Sequence, residues 1–84
     1  MADARDWYED QQIGLGEAFL RRVGETFDRI GLMPQSHRVI YQGVRRALIR
    51  RFPFAVDDRV DGEDVVVLGV VHSRRDPRTW KNRA

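Results

Sequence analysis

Val65-Val66-Val67-Leu68-Gly69-Val70-Val71 is the stretch on which the fold turns. It is apolar at odd and even positions alike, the signature of a strand buried on both faces and flanked by neighbours. It also falls far short of the ~20 apolar residues needed to cross a bilayer. Working back from it, Asp61-Gly62-Glu63 supplies a turn and Phe54 to Val60 alternates as a second strand. Arg50-Arg51-Phe52-Pro53 turns the chain again, and Val44 to Ile49 forms a third. The spacing therefore predicts a three-stranded antiparallel meander, with Asp64 to Val71 as its last strand. A meander gives that strand only one neighbour. Its other edge is an association liability, so either a strand is missing from the chain or a partner supplies one.

Upstream, Asp3 to Gln12 reads as a helix capped by Asp3, with Ala4, Trp7, Tyr8 and Gln11 on one stripe. Gly14 and Gly16 break it. A second amphipathic helix over 17–31 places Phe19, Leu20, Val23, Phe27 and Ile30 at helical spacing and stops at Gly31, with Pro34 beyond. Gly24 within it marks either a close approach to the first helix or a weak point. The short connection predicts an antiparallel helical hairpin. Downstream, Asp76-Pro77 opens a short terminal helix over Arg78 to Arg83 that carries Trp80. The fold class is α+β, with the hairpin packed on one face of the meander.

Eighty-four residues without cysteine make one domain that stands on its apolar core alone and excludes zinc ribbons, thiol nucleophiles and large enclosed active sites. The opening residues carry no apolar signal segment, so a cytoplasmic protein without membrane attachment is expected. The net charge of +2 conceals a pattern. Residues 1–31 carry 7 acids and 4 bases, 32–56 carry 5 bases and no acid, 57–64 carry 5 acids and 1 base, and 65–84 carry 1 acid and 5 bases. Fourteen of the 15 basic residues are arginine, whose planar fork suits phosphate and carboxylate. Asp57-Asp58 interrupts an otherwise apolar strand. Alternation puts Asp58 on the face of Phe54, Val56 and Val60, an awkward place for an unpaired carboxylate. A turn centred between Arg51 and Phe52 sets Arg45 opposite Asp58 and Arg46 opposite Asp57, where cross-strand ion pairs would offset the burial.

Trp7-Tyr8-Glu9, Gly14-Leu15-Gly16 with Phe19, Pro34, Val44-Arg45-Arg46, Phe52-Pro53-Phe54-Ala55-Val56 and Val70 to Pro77 with Trp80 occur in an order and spacing that resembles the RelE/ParE superfamily. More narrowly, they look like the ParE-type plasmid-stabilisation toxins of type II toxin–antitoxin systems. The likeness runs from about residue 7 to 83. Members of that family begin with a strand ahead of the Trp-Tyr-Glu element, whereas Met1 lies six residues before Trp7. A start codon assigned too late is the favoured explanation, and a truncated, inactive member is the other. Asp57-Asp58 also departs from the family, which usually has apolar or aromatic residues there.

The resemblance implies one of two activities. ParE-like members bind DNA gyrase and stall it on cleaved DNA; His72, Arg74, Arg75, Asp76 and Trp80 would then form the target-binding surface. RelE-like members cleave messenger RNA on the ribosome, and such chemistry would fall to His72, Arg46, Arg51 and Arg74 as proton-transfer group and phosphate-stabilising cations. The absence of any tyrosine after Tyr41 favours the first. Each residue also has a plainer role: His72 as a hydrogen-bonded strand end, Asp76 as a helix cap, Trp80 as packing. No cofactor is expected, and no metal, since His37 and His72 are the only histidines and lack ligand spacing. The implied partner is a cognate antitoxin, bound in an oligomeric complex that covers the open strand edge.

Overall fold

The computed structural model describes residues 2–80. Helices α1 (Ala2–Gln11) and α2 (Leu15–Leu32) precede strands β1 (Arg38–Tyr41), β2 (Val44–Leu48), β3 (Phe54–Asp61) and β4 (Asp64–His72), and a 3-10 helix covers Pro77–Trp80. The expected terminal helix is thus one short turn as far as Trp80, and residues 81–83 lie outside the described residues.

The sheet has four strands, not three, in the order β1-β2-β3-β4, each pair antiparallel. The additional strand joins β2 through Gln42-Gly43, both with positive φ (40° and 80°), a two-residue turn whose backbone suits the twist of a hairpin. It adds to the far side of β2 and leaves the gap beside β4 unfilled. Among the described residues the outer edge of β4 has no strand partner. With one neighbour instead of two, the valines of β4 are mostly half-buried, and Val67 is 43% exposed. The register also slips at Leu68: Val67 lies opposite Asp58 while Gly69 lies opposite Asp57. This bulge blunts the edge locally.

The chain doubles back between α1 and α2 because Gly14, at φ 91°, adopts a left-handed conformation, and Gly16 lets the helices touch. A Cβ on Gly16 would sit 2.8 Å from the Arg5 carbonyl oxygen. Gly24 has nothing within 4 Å, so the close approach belongs to Gly16 and Gly24 only weakens the helix. Gly14 brings no capping side chain; Glu9 reaches over instead and accepts hydrogen bonds from the Gly14 and Gly16 N–H groups at 3.0 Å. Those bonds hold its carboxyl below the usual range.

Helix α2 turns Phe19, Val23 and Ile30 onto the sheet, where they meet Ala47, Ile49 and Val56. At the α1 end, Tyr8 and Phe19 each pack edge to face against Phe52 and Phe54, with Tyr8 and Phe52 centroids 4.8 Å apart. On the sheet's other face a smaller cluster gathers Val44, Val71 and Trp80. Gly69 makes room for it, since a Cβ there would lie 3.2 Å from the Trp80 ring. No helix among the described residues is long and apolar enough to cross a membrane.

Candidate functional site

The expected register is the one observed: Arg45 faces Asp58 and Arg46 faces Asp57. Asp57 is fully buried, and Arg46 grips it with Nε to Oδ1 at 2.7 Å and an NH2 to Oδ2 at 2.8 Å. The remaining guanidinium nitrogen donates to the Ser73 and Arg75 carbonyls at 3.0 and 3.1 Å. Trp80 Nε1 completes the cluster with a 2.7 Å hydrogen bond to Asp57 Oδ2. One carboxylate, one arginine and one indole thus fasten the chain after β4 onto the back of the sheet. Donating to the Asp57 carboxylate raises the Arg46 pKa.

The second expected ion pair does not form. Arg45 turns away and donates to the His37 and Gln35 carbonyls at 2.6 and 3.4 Å. His37 takes its place, with Nε2 2.7 Å from Asp58 Oδ2. The strand missed in the sequence brings this histidine in, because residue 37 immediately precedes β1. Asp58 Oδ1 is buried without a hydrogen-bond partner.

These contacts sort the expected site residues. Arg46 is occupied by structure, its side chain only 10% exposed. Trp80 is 4% exposed and is packing. Asp76 caps the 3-10 helix, accepting the Arg78 N–H at 2.9 Å and pairing with the Arg78 guanidinium at 2.7 Å; the Arg78 hydrogen bonds lower its pKa to about 2. His72 packs its ring against Phe54, and its Nδ1 accepts the Arg74 N–H at 3.1 Å, which leaves the proton of a neutral ring on Nε2. Arg74 is exposed, and Arg75 lies 5.3 Å over the Trp80 ring. Arg51 stands in the β2–β3 turn. The Ser73 N–H donates to the Pro53 carbonyl at 3.0 Å and brings that turn beside the loop of His72 and Arg74. Arg51, His72 and Arg74 therefore share one end of the sheet, while Arg46 lies within it.

The sequence reading passed over two further groups. His37 gave no signal, because its carboxylate partner lies 21 residues away. Arg22 and Arg29, with Glu25 and Thr26 between them, repeat at helical spacing and line one cavity together with Arg50; that periodicity was readable. Among the described residues no three His, Asp or Glu side chains are grouped to hold a metal ion. Comparison with protein-family models, curated proteins and solved structures finds no match.

Proposed function

We propose that this chain is the toxin of a type II toxin–antitoxin module and acts in the ParE manner, by binding DNA gyrase, with a cognate antitoxin to neutralise it. The observation that carries binding over cleavage is the commitment of Arg46. A ribonuclease needs guanidinium groups free to meet the charge developing on phosphate. Arg46 instead spends four hydrogen bonds on Asp57 and the backbone of residues 73 and 75. His72 is in the same position: one ring nitrogen is engaged by its own turn, and no carboxylate among the described residues orients it.

What remains is a surface. His72, Arg74 and Arg75 protrude from a loop held by Asp57, Asp76 and Trp80, an arrangement suited to recognising an acidic patch on a protein. The open edge of β4 suits strand addition by an antitoxin segment, in which main-chain hydrogen bonds provide affinity. On this reading the chain purifies poorly alone and well when co-expressed with its antitoxin; a monodisperse, stable monomer purified alone counts against it.

Induction in a bacterial host tests the activity. Gyrase-dependent double-strand breaks with intact transcripts are expected. Cut transcripts without breaks would transfer the chain to the RelE-like, ribosome-dependent ribonucleases, and growth without effect would indicate an inactive member.

A further inference from the structure

Two neighbouring cavities open where α2 meets the β2–β3 turn, which the Ser73 N–H to Pro53 hydrogen bond sets beside the loop assigned above to target binding. The first encloses about 390 Å³ above Tyr8, Leu15, Phe52 and Pro53, with Arg21, Arg22 and Arg51 at its rim. The second, about 330 Å³, shares Arg22 and adds Arg29, Arg50, Thr26 and Glu25. Both lie within the size range of small-ligand sites.

The charge here is not internally balanced. Among the described residues Glu25 is the one acid lining either cavity, and it is held by Arg22 at 3.1 Å. Arg29 is partly spent on the Leu48 carbonyl at 2.8 Å. Arg21, Arg50 and Arg51 are exposed, and their side chains make no hydrogen bond or ion pair with another described residue. Arg51 carries a further mark: its φ of 71° lies in the left-handed region, which glycine occupies without penalty and arginine does not. A long cationic side chain on such a backbone is the kind of local strain that accompanies a functional role.

An apolar, partly aromatic floor beneath unpaired guanidinium groups matches a ligand that is flat and apolar at one end and phosphorylated at the other. We propose that the paired cavities bind a nucleotide, with the base against Tyr8, Phe52 and Pro53, the first phosphate on Arg21 and Arg51, and a following phosphate on Arg50. Guanidinium groups hold phosphate oxygens in bidentate pairs, and an aromatic surface accepts a base face without regard to sequence. The site does not depend on the gyrase reading.

Titration of the isotopically labelled full chain with ADP, followed by amide chemical shifts, tests it. Saturable shifts should concentrate at residues 8, 15, 21, 51 and 52. Ribose 5-phosphate and inorganic phosphate, which lack the base, should bind at least about tenfold more weakly. Arg51→Gly separates binding from folding, because it relaxes the left-handed backbone: the variant should be at least as stable as the parent yet bind ADP at least about fivefold more weakly. Arg21→Ala should lose a similar factor. Absence of saturable shifts, ribose 5-phosphate binding as tightly as ADP, or an Arg51→Gly variant that binds like the parent would overturn the proposal. An octathymidylate arm identifies the source of the nucleotide. Binding more than about tenfold tighter than ADP, with steep salt dependence, supports the site as one for nucleotides within a single strand; equal or weaker binding supports a free nucleotide.

Discussion

Asp57 and Asp58 are consecutive on β3, both fully buried, and point to opposite sides of the sheet. On the Asp57 side every carboxylate oxygen is used: Arg46 supplies a parallel pair of hydrogen bonds and Trp80 a third. On the Asp58 side a single histidine meets one oxygen, and the other has no partner. Equal burial therefore does not mean equal importance. A buried charge is tolerable when surrounding donors match its acceptor sites, and fragile when they do not. Asp57 fixes the position of the loop after β4, because the same arginine that satisfies it also holds the backbone of Ser73 and Arg75.

Asp57→Ala should have the largest effect. It strands the Arg46 charge and the Trp80 N–H inside the protein, and breaking a buried pair in this way typically costs about 3–5 kcal/mol. Urea denaturation should register that loss, and Trp80 emission should shift to the red as the ring comes away from Gly69. Asp58→Ala should cost less, about 1–3 kcal/mol, because only one hydrogen bond is lost and the unpartnered oxygen goes with it. Equal losses at the two positions would erase the distinction. A smaller loss at Asp57 would reverse it.

The register behind this comparison was readable in advance, because Arg50-Arg51-Phe52-Pro53 defines the turn and alternation does the rest. Half of the pairing followed from it. Asp58 takes a different partner because β1 brings in His37, and β1 was not legible: Arg38 and Val39 are exposed, the strand is four residues long, and Gln42-Gly43 is a weaker hairpin signal than Asn-Gly or Asp-Gly. A short strand with half its residues in water leaves little hydrophobic pattern to read. The arginine-rimmed cavities were hidden for another reason. Arg21 and Arg51 lie 30 positions apart, and only the packing of α2 against the turn brings them to one rim.

Half-buried Glu9 and exposed Asp76 complete the series with the smallest effects. Glu9 is pinned by the N–H groups of Gly14 and Gly16, and Asp76 by the Arg78 side chain and backbone, so both have folded-state pKa values below their ordinary 4.5 and 3.8. A lowered folded value means that each stabilises the fold above its unfolded pKa and loses that contribution as pH falls through the folded value, near 2 for Asp76. Carboxylate NMR titration should show both midpoints displaced downward, with the α1–α2 turn and the 3-10 helix loosening locally before the sheet melts. Midpoints at the ordinary values would remove these two contacts from the solution structure.

A supercoiling assay with purified gyrase and the purified chain most directly tests the central claim, that a loop built around an occupied Arg46 recognises a protein target and does not cut RNA. Accumulation of gyrase-dependent linear DNA, diminished by Arg74→Ala, with no cleavage of ribosome-bound message by the same preparation, is the predicted result. Unaffected supercoiling together with cleaved message would contradict it.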